Sequence, residues 1–220
     1  MLTPKKISGF TLVELLIALA LNAILFAALL AMFTSNLYHY TKTVNINRLN
    51  QQLQQTLELM SDDIRRAGYW ANAANDVGTG ANNNPFMATA VDITVTGGNC
   101  ILFAYDHASN GTLPAISTTI DDDRYGYRLS GTAVQERPPG ATFACTAAAN
   151  NWENITDPNV VKITALSFTL NTSTVTTGPG AQGITLRSVD ISLTGQLVSD
   201  ATITKTITQH VRIRNDKFIP

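Results

Sequence analysis

The stretch KKISGFTLVELLIALALNAILFAALLAMF, residues 5–33, is long and apolar enough to cross a lipid bilayer. Within it, Leu15–Phe33 is a run of 19 residues that only Asn22 interrupts, and no charged residue lies between Glu14 and Lys42. A membrane-spanning helix needs about 20 predominantly apolar residues. The sequence therefore predicts a transmembrane helix over about residues 12–35, with one acidic side chain near its start.

The charges in front of this run predict its orientation. Lys5 and Lys6 precede it, and the positive-inside rule then places the N-terminus in the cytoplasm and the rest of the chain outside it. A cleaved signal peptide is the alternative, but its apolar region usually spans about 7–15 residues and ends at a cleavage site. Here the apolar region is longer and the helical pattern continues past it, so we expect a single-pass membrane protein.

An apolar stripe continues the helix beyond the membrane segment. Its members recur at intervals of three or four residues, which is the spacing of one helix face: Ile46, Leu49, Leu53, Leu57, Met60 and Ile64. Gly68 after Ala67 is a helix stop signal. We therefore predict a helical segment over residues 10–68 whose distal stripe packs on the chain's own β domain. A coiled-coil seam is the alternative, although the stripe covers fewer than three heptads.

The remainder of the chain, residues 69–220, has the composition of an antiparallel β domain. A loop rich in Asn and Gly comes first, and strand-like segments follow at residues 91–95, 100–105, 125–129, 132–137, 160–170, 189–197 and 203–213. Ser130-Gly131 is a hairpin signal, and a change of apolar phase at Ala165-Leu166 predicts either a bulge or a break in the strand. The expected fold class is α+β: one long N-terminal helix packed on an antiparallel sheet of five or more strands.

Cys100 and Cys145 are the two cysteines of the chain. Outside the cytoplasm an even number of cysteines favours a disulfide, and two unpaired buried thiols are the alternative. A metal site is not predicted, because His39, His107 and His210 are scattered without ligand spacing. No cofactor is expected.

The opening motif GFTLVE, residues 9–14, resembles the processing site of type IV prepilins: a short basic leader that ends in glycine, then phenylalanine, then glutamate four residues on. The resemblance implies that residues 1–9 are a leader peptide. It implies that prepilin peptidase cuts between Gly9 and Phe10 and that the new N-terminal Phe10 is methylated. It also implies a role for Glu14 in assembly, by pairing with an α-amine of its own or an adjacent subunit. The alternative for Glu14 is an acidic residue that the helix dipole favours.

A softer match is DDIRRAGYW, residues 62–70, which resembles the helix-to-domain junction of PilW-type minor pilins. Together the two motifs imply a minor pilin that is stored in the inner membrane, with its C-terminal domain in the periplasm, and then incorporated into a pilus. Ala31, where many major pilins carry a kinking proline, fits a low-copy subunit. The implied partners are prepilin peptidase, other major and minor pilins, the inner-membrane assembly platform and the lipid bilayer.

Other functions remain as alternatives or are disfavoured. A minor pseudopilin of type II secretion has a similar leader and helix, and a membrane-tethered adhesin or DNA-uptake module is a second alternative. The run Asp121–Asp123 offers oxygen ligands for Ca²⁺, but three adjacent acidic residues are more often a solvated loop. Lys205, Arg212, Arg214 and Lys217 could form a basic strip, yet no aromatic residue interleaves them and the net charge is −1, so nucleic acid is not expected. The sequence has neither G-x-S-x-G nor H-E-x-x-H, and an enzyme is not predicted.

Overall fold

The computed structural model describes residues 9–77, 80–146, 152–176 and 182–220. The chain divides into two compact units, of which the first ends at Asn47 and the second runs from Arg48 to Pro220. One helix, α1 (Leu12–Ile64), begins in the first unit and ends in the second. The single long N-terminal helix that the sequence predicts is therefore present.

In the first unit, the part of α1 up to Phe33 is apolar on all sides. Every described residue up to Asn47 is exposed except Asn45, which is half-exposed. Phe10 and Leu21, for example, are 86% and 58% exposed. By its length and composition, α1 is a candidate membrane span near the N-terminus.

The second unit places the distal part of α1 against two antiparallel sheets. In the first sheet the strands lie in sequence order: β1 (Thr94–Thr96), β2 (Cys100–Ala104), β3 (Arg124–Ser130), β4 (Ala133–Glu136) and β5 (Glu153–Asn154). In the second sheet β7 lies between β6 and β8, and β9 also pairs with β7: β6 (Val161–Thr176), β7 (Gly183–Leu197), β8 (Thr204–Arg212) and β9 (Lys217–Ile219). Two short 3₁₀ helices, Ala73–Asp76 and Pro85–Met87, precede the strands.

The predicted apolar stripe is the face of α1 that enters the core. Leu53, Met60 and Ile64 are fully buried, and Leu49 and Leu57 are nearly so. They join one cluster with apolar side chains of both sheets, among them Ile101, Tyr127, Ile163, Ile191 and Val211. Packing on the chain's own β domain is thus confirmed for five of the six stripe residues. Ile46, the sixth, is 38% exposed and belongs to the first unit.

The helix ends at Ile64, four residues before the end of the predicted segment 10–68. From Arg66 onward the hydrogen bonds are of the i→i−3 type, from Arg66 N to Asp63 O at 2.9 Å and from Ala67 N to Ile64 O at 3.1 Å. Such bonds tighten a last turn. Gly68 then takes a φ of +74° and donates from its N–H to Ala104 O of β2 at 2.8 Å. Gly68 therefore does end the helical backbone, as the sequence predicts. The tightened turn before it explains why the regular α-helix already ends at Ile64.

Two local predictions about the strands are confirmed. The β6–β7 register shifts between Ile163 and Ala165, which is the predicted bulge and lets Ile163 and Leu166 both face the core. In the β3–β4 hairpin Ser130 pairs with Ala133, and Gly131 supplies the positive φ of the turn, +59°. The hairpin forms where the Ser130-Gly131 signal predicts it.

Two other predictions need correction. The strand expected at residues 91–95 is reduced to Thr94–Thr96, because Ala88 O accepts hydrogen bonds from the N–H groups of Val91 and Asp92 and closes a turn there. The strands also form two sheets rather than one. The alternation of apolar and polar residues predicts that a segment is a strand, but it does not predict which strands pair. Here β6 pairs with β7 along its whole length.

Candidate functional site

The N-terminal segment starts α1 with a capping box. Thr11 Oγ1 accepts a hydrogen bond from Glu14 N at 3.3 Å, and the Glu14 carboxylate accepts from Thr11 N at 3.4 Å and from Thr11 Oγ1 at 3.3 Å. This reciprocal arrangement satisfies two N–H groups that a helix start otherwise leaves unpaired. Glu14 therefore has a local role at the helix start, where a negative charge is also favoured by the dipole.

The residues on either side of the implied cleavage point are accessible. Gly9 and Phe10 are exposed and lie before the first helical residue, Leu12. A backbone that is not helical can enter the active site of a peptidase without prior unfolding. The capping box starts one residue after Phe10, so both of its residues, Thr11 and Glu14, lie on the C-terminal side of the implied cleavage point.

The DDIRRAGYW segment joins α1 to the first sheet. Asp63 accepts hydrogen bonds from the Tyr127 hydroxyl at 2.5 Å and from the Tyr105 hydroxyl at 3.4 Å. Burial raises the pKa of Tyr105 to about 12, and the Asp63 carboxylate adds to the shift. Burial likewise raises the pKa of Tyr127, again with a contribution from Asp63. Near the end of α1, the Asp63 carboxylate is thus fixed by hydrogen bonds from two buried tyrosine hydroxyls.

Backbone and side-chain groups of the same segment form hydrogen bonds with several other parts of the chain. Asn84 Nδ2 donates to Gly68 O at 2.9 Å, and Asp106 N donates to Tyr69 O at 3.0 Å. Trp70 Nε1 donates to Gly111 O at 2.8 Å, and Asn215 Nδ2 donates to Ala67 O at 3.2 Å. This segment therefore connects the helix to the first sheet and to the loop before β9. It is the same segment that resembles the minor-pilin junction.

A disulfide ties the first sheet to the segment after β4. Cys100 of β2 and Cys145 are bonded, with Cα atoms 6.2 Å apart. Arg128 of β3 donates to Cys145 O at 2.8 Å, and its guanidinium lies 4.4 Å from the centre of the Trp152 ring. The bond therefore sits within a packed cluster rather than at a free loop tip.

The acidic run Asp121–Asp123 is not the solvated loop that its composition suggests. Asp122 and Arg137 form a fully buried ion pair, with Asp122 Oδ2 and Arg137 Nη2 2.9 Å apart. Asp123 is only 2% exposed. The expectation was wrong because a buried arginine fourteen positions after the run folds back onto it, which the local sequence does not reveal.

The other two carboxylates of the run meet a histidine. His107 Nδ1 lies 2.8 Å from Asp121 Oδ2, and His107 N donates to Asp123 Oδ1 at 3.2 Å. Burial raises the pKa of the Asp123 carboxyl. Burial acts in the same direction on Asp121, but hydrogen bonds from the Asp123 N–H, the Tyr125 hydroxyl and His107 lower its pKa overall.

Sequence reasoning missed this group because it judged the histidines by their spacing along the chain. Ala104 of β2 pairs with Arg124 of β3, so the residues just after β2 and just before β3 meet at one end of the sheet. His107 and Asp121 lie three residues beyond that pair on either strand. The antiparallel pairing of the two predicted strands was the signal that could have found them.

Two of the four basic residues near the C-terminus are paired with carboxylates. Arg212 pairs with Asp216 at 3.0 Å, and Lys217 pairs with Asp92 at 2.6 Å. Arg212 and Arg214 line a shallow depression together with Arg65, and Arg65 itself pairs with Asp62 at 3.1 Å. Carboxylates thus neutralise much of the positive charge of this surface.

Comparison with known families agrees with this architecture. Residues 4–30 match the prokaryotic N-terminal methylation motif, which together with the apolar helix and the antiparallel sheets defines a type IV pilin-like protein. Residues 42–213 match prepilin peptidase-dependent protein B. The chain therefore belongs to the prepilin peptidase-dependent protein B family. Neither match is to a PilW-type family, and no curated protein and no solved structure matches the chain.

Proposed function

We propose that this chain is a minor pilin of the type IV pilus that acts in assembly or initiation of the filament, with the tip as one candidate position. The observation that carries the proposal is the methylation motif at residues 4–30, together with a helix whose first part, up to Phe33, is apolar and exposed on all sides. Such a surface is stable in lipid or among the apolar helices of other subunits. The same helix can therefore serve first as a membrane anchor and then as an assembly element.

Processing is the first step of the proposed pathway. Prepilin peptidase removes residues 1–9 by cutting between Gly9 and Phe10, and Phe10 becomes the methylated N-terminus. The accessible, non-helical backbone at these two residues supports the proposal. The mature chain then spans the inner membrane once, with the domain of residues 69–220 in the periplasm, and is later carried to the cell surface.

Incorporation into the filament is the second step. Other major and minor pilins would pack on the apolar part of α1, and the inner-membrane assembly platform would move the chain from the bilayer into the filament. Glu14 has a second use here. A free α-amine at Phe10 is a partner for its carboxylate, either within the helix, where the residues are i and i+4 neighbours, or from an adjacent subunit.

A low-copy role is supported by the residues rather than by the family match. Ala31 stands where a kinking proline occurs in many major pilins, and the PilW-type likeness covers residues 62–70. A minor pseudopilin of type II secretion shares the processing step. A membrane-tethered adhesin would share the anchor. The test is chosen to separate these alternatives.

The experiment combines N-terminal sequencing with a deletion strain. Protein purified from the native host should begin with methylated Phe10, and the deletion strain should lose surface pili while secreting its exoproteins normally. Lost secretion with normal pili would identify a pseudopilin instead. Retained pili with lost adhesion would identify a binding module, and a chain that starts at Met1 would contradict the prepilin assignment altogether.

A further inference from the structure

We infer that His107, Asp121 and Asp123 form a site for a zinc-class divalent cation at the end of the first sheet. One ligand atom from each of the three side chains lies within 4.8 Å of the other two. A ring nitrogen with two carboxylates is a donor set that Zn²⁺ accepts, and three protein ligands leave its fourth position open.

The second observation is an unpaired oxygen. Asp123 is 2% exposed, and its Oδ2 has no hydrogen-bond partner among the residues that the structure describes. A buried carboxylate oxygen without a partner is costly. Its other oxygen, Oδ1, is held by the His107 N–H, which keeps the carboxylate beside the other two ligands. A cation bound by Oδ2 satisfies the oxygen that the protein leaves unpaired.

The charge balance around the group favours a cation. Over the described ranges, neither Asp121 nor Asp123 forms an ion pair with lysine or arginine. Asp122, between them, is already neutralised by Arg137. Arg124 interacts with Asp123 through its charge, and Asp106 adds a further negative charge near Asp123. The two carboxylates that face His107 therefore have no directly bonded permanent cation, and a divalent ion supplies one.

The geometry requires only a small adjustment. Zn²⁺ bonds of about 2.0–2.2 Å place two ligands of one ion about 3–4 Å apart. His107 and Asp121 have side chains that are 59% and 44% exposed, so both can turn toward the ion, whereas Asp123 is held in place. The Tyr125 hydroxyl donates to Asp121 Oδ1 and Oδ2 at 3.0 and 2.8 Å and so orients this ligand from outside.

The donor set separates this site from a calcium site. Ca²⁺ takes about 6–8 oxygen ligands, whereas imidazole is a ligand of transition metals such as Zn²⁺. The consequence of binding is also local. His107 follows β2 and Asp121–Asp123 precede β3, so an ion would close the connection between these two strands at its base.

A second histidine–aspartate pair supplies the matched control. His210 Nδ1 lies 2.6 Å from Asp190 Oδ1, and the two side chains are 63% and 53% exposed. This pair resembles His107–Asp121 in distance and exposure, but within the described part of the chain no third ligand joins it. If exposed histidines bound Zn²⁺ only weakly and nonspecifically, substitution of His107 and of His210 would therefore reduce binding equally.

The test uses the full-length chain in detergent micelles, without an affinity tag and stripped of metal with a chelator. Equilibrium dialysis against Zn²⁺, with bound metal measured by mass spectrometry, should give one ion per chain. His107→Gln should weaken this binding by at least about tenfold, since even changes behind the ligands cost about 10–100-fold. Asp121→Asn should do the same, and His210→Gln should leave the affinity unchanged.

Two further measurements make the result decisive. Co²⁺ bound to the wild type should show a ligand-field absorption spectrum that His107→Gln abolishes, and circular dichroism should be the same for all variants. Absence of saturable binding would overturn the proposal, as would equal losses in His107→Gln and His210→Gln. Binding of Ca²⁺ in preference to Zn²⁺, unaffected by His107→Gln, would overturn the nitrogen ligand and hence the zinc class.

Discussion

At the scale of single residues, Gly68 is the point where the chain leaves the helix. Its φ is +74°, and a Cβ added to it would lie 2.5 Å from Met87 Cε and 3.0 Å from Arg187 Nη2. The left-handed backbone conformation, which is unfavourable for other residues, therefore favours glycine here, and a Cβ would in addition force the end of the Met87 side chain to move. Gly98 has the same φ of +74° but open space around it.

This pair of glycines gives a controlled prediction. We expect Gly98→Ala to lower the free energy of unfolding by about 1–2 kcal/mol, the cost of the left-handed conformation alone. Gly68→Ala should cost more, because Met87 must also move. Denaturant unfolding of the two variants measures the difference, and equal losses would show that the Met87 side chain yields without cost.

The buried tyrosines around Asp63 predict a dependence of stability on alkaline pH. The pKa of Tyr105 is raised from 10.0 to about 12, and the pKa of Tyr127 is raised as well, in both cases chiefly by burial and with a contribution from Asp63. Below pH 10 the phenols are protonated in both states, so their contribution to stability is fully present. As the pH rises from 10 through about 12, the unfolded state releases protons that the folded state retains, and stability falls.

Two measurements check this expectation. Ultraviolet titration should show fewer phenolates in the folded chain at pH 11 than in the same chain unfolded in urea. Tyr105→Phe should make the free energy of unfolding decline less steeply between pH 10 and pH 12, since one of the linked groups is gone. Folded and unfolded chains that titrate together near pH 10 would contradict the shift.

At the scale of elements, local patterns predicted what depends on near neighbours. The period of Leu49, Leu53 and Ile64 predicted the buried helix face, and the phase change at Ala165-Leu166 predicted the bulge. The division into two sheets could not be predicted from local patterns, because it depends on which distant strands pair. The buried Asp122–Arg137 pair and the meeting of His107 with Asp123 depend on tertiary contacts in the same way, and composition alone suggested a solvated acidic loop.

The disulfide between β2 and the segment after β4 gives the prediction at this scale. The sequence separation of 45 residues corresponds to about 4 kcal/mol in the chain-entropy model. We expect native protein to show no free thiol under denaturing, non-reducing conditions. Reduction should lower the free energy of unfolding by about 2–4 kcal/mol, and the double variant Cys100→Ala, Cys145→Ala should not respond to the reductant. Alkylation of both cysteines without reduction would refute the bond.

At the scale of the whole molecule, the two units meet opposite solvent requirements. The first unit exposes apolar side chains from Phe10 to Ile46, whereas the second buries its apolar residues in one main cluster formed with two sheets. Neither arrangement is suited to the environment of the other, because apolar surface is expelled from water and polar backbone from lipid. In the proposed pathway the first unit stays among lipids or helices throughout, and only its neighbours change.

Glu14 provides the test of that pathway, because its carboxylate has two separable uses. In the structure it caps α1 through Thr11, and in the proposed filament it pairs with an α-amine. Glutamine at this position preserves a capping box but carries no charge, whereas alanine removes both. We expect Glu14→Ala and Glu14→Gln to be inserted in the membrane and processed after Gly9 as in the wild type.

Both variants should then be depleted from the filament. Among packed helices an amine that loses its carboxylate is an unpaired buried charge, and a loss of about 1.4 kcal/mol already corresponds to a tenfold change. We therefore expect more than about tenfold less variant in sheared pili of a complemented deletion strain, at equal amounts of processed protein in the membrane. If Glu14→Gln assembles normally and only Glu14→Ala fails, the cap on Thr11 is what assembly requires. If both assemble normally, Glu14 has no role in assembly.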